Sequence, residues 1–227
     1  MSDLTKAIRE KGYWYIDVRP AEYVGDRVPY ASLGPILDRT VVRLRGWDFP
    51  HIDRQRDLQR GNTWIGGETD WSWFKEAWRF YRSGQFVYEI GIHEDWAGET
   101  FPPHRLPLDV PALGVGDALF RITETYEFAA RLSVTEAGAH QMRIAIDVRN
   151  AAGRSLYVDD INRMPMDRTR PFSEPIVYSA VTLSRDDLAG RSRSLAIDAA
   201  AELFERFGFH PTRALLEGQQ SELRWPK

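Results

Sequence analysis

The chain has 227 residues, of which 12% are aromatic and 28% are charged, and its formal net charge is −3 at pH 7. The aromatic content excludes a largely disordered protein, and the acidic balance argues against a general coat for nucleic acid, because such coats draw their affinity mainly from phosphate neutralisation. No apolar run reaches the roughly 18 residues of a membrane-spanning helix, no signal peptide is visible, and the absence of cysteine excludes disulfides and thiolate metal sites. We therefore expect a cytoplasmic protein without membrane contact, cofactor or metal.

The N-terminal part of the chain alternates between β-prone runs and segments rich in turn-forming residues. Ser2 or Asp3 can cap a first helix, and Gly12 can end it. The predicted elements are, in chain order, a helix over 3–11, a strand over 13–18, loops over 20–37, a strand over 40–45, a charged connection over 46–60, and a short strand at 63–65 that Gly66 and Gly67 end.

The segment from 71 to 92 allows two interpretations. Ser83 and Gly84 form a two-residue turn signal between β-prone runs, which predicts a β-hairpin near 77–92. The alternative is a helix over 71–82, because its large aromatic residues recur at helical spacing. We favour the hairpin, since the apolar residues after Gly84 occupy every second position.

The second half of the chain begins with a segment rich in proline and glycine at 98–116, which predicts a long loop and a boundary between subregions of a single 1–227 domain. Asp117 can cap a helix near 117–133. Residues 141–149 alternate between apolar and polar residues and predict a half-buried strand. The remaining predicted elements are a partner strand for it at 155–158, a strand over 175–183, and helices near 186–207 and 211–223. These elements indicate an α+β fold, a mainly antiparallel sheet packed by three helices.

His93, Glu94 and Asp95 directly follow the predicted hairpin and are candidate catalytic residues. Their side chains are of the types used in acid–base chemistry and in binding hard metal ions. Adjacent residues of a strand point to opposite faces, so we do not expect all three to converge. They support one alternative function, a metal-assisted hydrolase or nuclease.

Four arginines are the candidate contacts for nucleic acid, which is the second alternative function. Aspartates are interleaved with them, and this pattern favours a salt-bridged surface over a track for phosphates. We therefore expect no general affinity for nucleic acid. The four residues are Arg39, Arg43, Arg45 and Arg54.

The tryptophans between 71 and 96 are denser than the buried face of one hairpin can readily absorb. Trp and Arg dominate the binding energy of many protein interfaces, so some of these residues could form a patch that contacts a protein partner or a second copy of the chain. Most of them could instead belong to the core. The candidate partner-binding residues are Trp71, Trp73, Trp78, Arg79, Arg82 and Trp96.

Two stretches carry a resemblance to a known family. The first runs from Thr63 to Phe86 and includes WRFYRSGQF, and the second is LFRITETYEFAARL at 119–132. They resemble the region downstream of Schlafen-AlbA-type nucleic-acid-binding domains in bacteria, from about residue 40 to the C-terminus. The AlbA-type domain itself is not evident, so none of its functional residues is carried over. The resemblance implies an accessory or sensing module in a nucleic-acid-related or antiviral system, and we expect a non-catalytic binding or adaptor function.

Overall fold

The computed structural model of the chain describes residues 1–53, 58–96, 111–158 and 171–224. Its helices are α1 (Asp3–Glu10), α2 (Leu33–Thr40), α3 (Val115–Ser133), α4 (Arg185–Glu205) and α5 (Arg213–Gln220). Its strands are β1 (Tyr13–Pro20), β2 (Gln59–Arg60), β3 (Trp64–Trp71), β4 (Phe74–Tyr81), β5 (Phe86–Gly91), β6 (Ala112–Gly114), β7 (Gln141–Arg149), β8 (Ser155–Tyr157) and β9 (Ile176–Ser184).

Seven of these strands form one sheet in the order β2-β3-β4-β5-β1-β7-β9, and every neighbouring pair in it is antiparallel. The strands β6 and β8 form a separate small parallel pair. The α+β fold with a mainly antiparallel sheet is thus confirmed. The first strand of the chain, β1, lies in the interior of the sheet and pairs with β5 on one side and β7 on the other.

The predicted hairpin is confirmed, and the competing helix over 71–82 is wrong. β4 and β5 pair antiparallel, with Phe80 opposite Phe86. Gly84 has a φ of +83°, a backbone conformation that glycine adopts without strain. A Cβ atom at Gly84 would lie 2.1 Å from the carbonyl oxygen of Ala137, so the turn also packs against the loop before β7.

Alternation along the strands divides the sheet into a buried inner face and a partly open outer face. Trp14, Ile16 and Val18 of β1 are buried on the inner face together with Phe86 and Tyr88 of β5. The helices α2, α3 and α4 contact strands of the sheet on this side, α5 packs against α3 and α4, and most residues of α3 are buried. On the outer face, α1 packs over β4 and β5. The helix α1 is amphipathic and is capped by Ser2, whose hydroxyl accepts from the amide of Thr5.

Two local predictions are wrong. Residues 40–45 do not form a strand, because the apolar residues of α2 recur at helical spacing up to Thr40, and only Val42 forms an isolated bridge, to Phe49. Gly66 and Gly67 do not end their strand. They lie inside β3, where a Cβ at Gly67 would be 2.8 Å from the indole ring of Trp78. These glycines therefore make room for a large ring rather than a turn.

Other boundaries are corrected in the second half of the chain. β8 pairs with β6 and not with β7. Its partner strand, Ala112–Gly114, lies inside the segment over 98–116 that is predicted as a loop. Residues 98–110 of that segment lie outside the described residues. α3 begins at Val115, so Asp117 lies in its first turn instead of capping it. Within the described part of the chain, no helix is long and apolar enough to cross a lipid bilayer.

Candidate functional site

An interior charge cluster of five residues lies between β4, α3 and the loop after α2: Arg45, Glu76, Asp117, Arg121 and Glu124. The guanidinium of Arg45 donates two hydrogen bonds to the carboxylate of Glu124, at 3.1 and 2.7 Å, and one to Asp117 at 2.6 Å. Glu124 is 2% exposed and Glu76 is 1% exposed. Burying charges costs several kcal/mol for each ion unless they are paired, so this network determines how the loop docks on α3.

Arg121 occupies the centre of the interior charge cluster. Its guanidinium nitrogens lie 3.9 Å from a Glu76 carboxylate oxygen and 3.8 Å from an Asp117 oxygen. Burial works to raise the pKa of Asp117, but the positive charges of Arg121 and Arg45, with His93, outweigh it and hold that pKa below its ordinary value. Burial raises the pKa of Glu76, and Arg121 only partly opposes this.

Several polar atoms around the interior charge cluster have no hydrogen-bond partner among the described residues. The hydroxyl of Tyr88 donates to one oxygen of Glu76, but the other oxygen has no hydrogen-bond partner among the described residues. The Nε atom of Arg121 and the ring atoms Nδ1 of His51 and Nε2 of His93 are likewise buried without a partner there. Sequence reasoning missed Glu76, Arg121 and Glu124. A signal for Glu76 exists, since it is a charged residue in the inward-facing alternation of β4.

The three candidate catalytic residues His93, Glu94 and Asp95 form one turn of 3-10 helix after β5 and point to different partners. The ring of His93 meets Phe74 edge-on, with centroids 5.0 Å apart, and burial lowers its pKa. One carboxylate oxygen of Glu94 accepts from the amide of Gly114 at 2.9 Å. Burial, with the nearby charge of Asp117, raises the pKa of Glu94 to about 7.

The carboxylate of Asp95 binds Arg154 and the backbone of Gly12, and it does not form a common site with His93 and Glu94. It accepts two hydrogen bonds from the guanidinium of Arg154, at 3.0 and 2.7 Å, and one from the amide of Gly12 at 2.7 Å. Arg154 is 1% exposed and also donates to the carbonyl of Ala112. A Cβ at Gly12 would collide with Arg154 at 2.0 Å, so Gly12 is required for this contact.

A second site, the outer groove, lies on the outer face between α1 and strands β3, β4 and β5. It has a cavity volume of about 410 Å³, a size typical of ligand sites. Its floor includes Ala77 and Val87, and its walls include Arg9, Tyr15, Arg79 and Tyr81. Arg9 holds α1 on the sheet through a bidentate contact with Glu89, with Nε 2.9 Å from the carboxylate.

Arg79 provides the outer groove with an available positive charge. Its guanidinium lies over the indole ring of Trp64, 4.4 Å from the ring centroid, and its stem passes 3.3 Å from the position of a Cβ at Gly66. Among the described residues, the guanidinium of Arg79 makes no hydrogen bond or ion pair, and the same holds for the carboxylate of Glu68, which also lines the outer groove. The site therefore presents one guanidinium and one carboxylate beside an apolar floor.

A third feature, the aromatic corner, consists of Trp47, His51, Trp71 and Phe74. The rings of His51, Trp71 and Phe74 lie within 20° of parallel to Trp47, with centroid distances of 4.0, 5.5 and 5.2 Å. Trp71 is 60% exposed at the tip of the β3–β4 hairpin. Trp73, in the turn itself, is half-buried beside Phe74.

The other predicted partner-binding residues do not join Trp71 in one patch. Trp78 is 2% exposed and donates to the carbonyl of His51 at 2.8 Å, so it is a core residue and not a surface contact. Trp96 packs over Gly91 with the ammonium groups of Lys11 and Lys75 nearby. Arg82 pairs with Asp26 at the opposite end of β4.

The predicted nucleic-acid contacts do not form a common basic surface. Arg39 pairs with Glu136 at 2.8 Å, and Arg43 pairs with Asp48 at 2.6 Å. Arg45 belongs to the interior charge cluster, so the prediction that it contacts phosphate is wrong. Arg54 lies outside the described residues. Each described arginine of this set thus already has an acidic partner.

The described residues contain no group of three or more histidine or carboxylate side chains placed to hold a metal ion. Comparisons with protein-family models, with curated proteins and with solved structures found no match to this chain.

Proposed function

We propose that this protein is a non-catalytic binding module that takes a segment of a protein partner into the outer groove. The observation that carries the proposal is the unpaired guanidinium of Arg79, fixed on Trp64 at the edge of a groove of about 410 Å³. A guanidinium held on an aromatic ring loses little freedom when it binds, and its planar donors match a carboxylate. The sequence-based prediction of a protein partner stays a prediction, with Arg79 as its central residue.

The chemistry of the outer groove defines the segment that fits. An acidic side chain or a terminal carboxylate would pair with Arg79, and an apolar side chain would cover Ala77 and Val87. A basic group on the same segment would reach Glu68. A segment that carries both charges around an apolar residue therefore complements the outer groove, and the aromatic rings of Tyr15 and Tyr81 would flank it.

Site-specific crosslinking tests this proposal. A photoreactive amino acid replaces Val87 in the outer groove or, as the control, the exposed Val134 after α3, and each protein is expressed in cells of the source organism. We expect one partner to be crosslinked from position 87 and not from position 134. The substitution Arg79→Ala, made in the position-87 protein, should reduce that crosslink about tenfold or more, as expected for a hot-spot arginine, without lowering the melting temperature.

Two results would contradict the proposal. One is the same set of crosslinked proteins from positions 87 and 134. The other is a crosslink from position 87 that Arg79→Ala leaves unchanged. If a partner is found, its function tests what the Schlafen-AlbA resemblance implies, a role in a bacterial nucleic-acid-related or antiviral system, together with the expected cytoplasmic location.

Acid–base catalysis at Glu94 is the second candidate function, and the observation in its favour is the pKa of about 7. A carboxyl group with such a pKa can donate or accept a proton near neutral pH. Metal assistance by His93, Glu94 and Asp95 has less support, because Asp95 is engaged by Arg154 and Gly12. If the protein hydrolyses a substrate, its pH–rate profile should show an apparent pKa near 7 that Glu94→Gln removes. A profile unchanged in the variant would contradict this second candidate.

A further inference from the structure

Strand β9 lies at one edge of the seven-stranded sheet, and its composition is unusual for that position. Its nine residues, IVYSAVTLS, include no charged residue and no proline. Among the described strands, none pairs with its outer side. A long uncharged edge readily pairs with another strand, and folded proteins usually protect such edges with charges, prolines, bulges or short strands.

The opposite edge of the same sheet has such protection. There the edge strand β2 has only two residues, Gln59 and Arg60, both exposed and one of them charged. The two edges therefore differ in length and in charge. Only β9 combines both properties that favour pairing.

The hydrogen bonds of the neighbouring strand β7 show which backbone groups of β9 face outward. The carbonyl of Gln141, the first residue of β7, accepts a hydrogen bond from the amide of Ala21, which directly follows β1. Backbone groups alternate in direction along a strand, so the odd-numbered residues of β7 point theirs towards β1. The even-numbered residues of β7 point theirs towards β9. Met142 is opposite Leu183, and the odd-numbered residues of β9 therefore bond to β7. The even-numbered residues of β9, from Ile176 to Thr182, direct their amide and carbonyl groups to the open edge.

One contact supports this orientation. A guanidinium nitrogen of Arg206 donates to the carbonyl of Tyr178 at 2.5 Å, and it is the one hydrogen bond that other described residues make to these outward groups. Arg206 also pairs with Glu202, so it keeps an acidic partner if it leaves the Tyr178 carbonyl.

We propose that β9 pairs antiparallel with β9 of a second copy of this chain, so that two seven-stranded sheets join across a twofold axis near Ala180. Antiparallel pairing of two identical strands satisfies twofold symmetry without distortion. Around Ala180, Tyr178 lies opposite Thr182 of the other copy, and no like charges meet because the strand has none. Ile176 and Tyr178, which are 43% and 48% exposed, gain cross-strand partners. This interface is separate from the outer groove and does not depend on it.

Sedimentation velocity and amide hydrogen exchange test the pairing on the full chain over a range of concentrations. We expect a species with twice the mass of one chain, whose fraction increases with concentration. In that species the amides of Tyr178, Ala180 and Thr182 should exchange at least tenfold more slowly than at the lowest concentration. The amides of Ser179 and Val181, which bond to β7 in either state, should not change.

Two variants make the test specific to β9. Ala180→Lys puts two like charges directly opposite each other at the twofold axis, and Ala180→Pro removes one outward amide, a replacement that an edge strand tolerates. Both should shift the equilibrium to the single chain with the circular dichroism spectrum unchanged, and the control Val134→Lys, at an exposed site after α3, should not.

The proposal is overturned if the protein sediments as a single chain at every concentration. It is also overturned if the two β9 variants associate as the unmodified protein does, since the interface would then lie elsewhere. Protection of the outward amides that does not depend on concentration would show that the same chain covers the edge, and this too would overturn it.

Discussion

Arg43 and Arg45 are two residues apart, yet they have very different surroundings. Arg43 is exposed and pairs with Asp48 of its own loop, whereas Arg45 is enclosed by Asp117 and Glu124 of α3. A buried ion pair that loses one partner leaves an uncompensated charge in the interior, whereas an exposed pair is screened by water. The energetic role of an arginine in this chain is therefore determined by what α3 places opposite it.

We predict that Arg45→Met lowers the free energy of unfolding by about 3–5 kcal/mol, because the buried carboxylate of Glu124 loses the cation that hydrogen bonds it and Asp117 keeps only the more distant Arg121. The matched control Arg43→Met should cost about 0–1 kcal/mol. Urea unfolding measures both. Equal effects of the two variants would contradict the arrangement of the interior charge cluster.

Gly84 has a positive φ and a close neighbour, and these two constraints can be separated by a comparison with Gly153. Gly153 has a φ of +77° but no atom within 4 Å of a Cβ placed there, whereas at Gly84 that distance is 2.1 Å. We predict that Gly153→Ala costs about 1 kcal/mol from backbone strain alone. Gly84→Ala should cost more, since the Ala137 carbonyl must also move, and Gly84→Val more again. Thermal unfolding of the three variants provides the measurement, and similar losses at both positions would count against the hairpin geometry.

Glu94 predicts a pH dependence of stability. Its ordinary pKa is 4.5 and its pKa in the folded protein is about 7, so between these values the folded chain keeps a proton that the unfolded chain has lost. Stability from this group is present below pH 4.5 and is lost as the pH rises to about 7. Relative to the unmodified protein, Glu94→Gln should gain on the order of 1–3 kcal/mol across that window. The control Glu205→Gln, at an exposed position, should show no such gain, and an identical pH dependence in both variants would refute the burial of Glu94.

Among the helices and strands, the sequence correctly predicted those that bury one face and expose the other, because such elements have a regular spacing of apolar residues. Residues 141–149 alternate strictly, and β7 spans those same residues. The strand at 40–45 was predicted from the β-prone residues Val41 and Val42, and this prediction is wrong. The buried face of α2 extends to Thr40, so the chain is helical up to that residue. Local propensity is weaker than the packing of an amphipathic helix.

The candidate site was less predictable than the fold, for a physical reason. Glu76 and Arg121 are charged residues at positions that sequence patterns assign to the core, and only the three-dimensional structure brings them within 3.9 Å. Arg79 could be identified from the sequence as a contact residue, but its support by Trp64 depends on the register between β3 and β4. In that register Gly66 lies opposite Arg79.

For the whole molecule, charge predicts weak interaction with nucleic acid. The net charge is −3, and Arg39, Arg43 and Arg45 have acidic partners. We predict that fluorescence anisotropy with a labelled DNA duplex in about 150 mM salt shows no binding at micromolar protein, because few phosphates can be neutralised. The control is the same titration at low salt, where any electrostatic contact would be strongest. Micromolar affinity independent of sequence at the higher salt would contradict this prediction.

We also predict that the chain unfolds in one cooperative transition, although the segment over 98–116 is rich in proline and glycine. Strand β1 bonds to β5 before that segment and to β7 after it, and Arg154 connects Asp95 with Ala112 across it. Calorimetry measures the transition, and equal calorimetric and van't Hoff enthalpies are expected. Two separable transitions would indicate two domains and would overturn the single-domain prediction.

The interior position of β1 also affects how the protein is made. The ribosome synthesises β1 first, but β7, its partner on one side, ends only at Arg149. Until that residue has left the exit tunnel, one side of β1 remains unpaired in the nascent chain, together with the apolar residues that α3 and α4 later cover. Native pairing of the large sheet must therefore wait until most of the polypeptide has been translated, and in that interval the growing chain presents a surface that chaperones recognise.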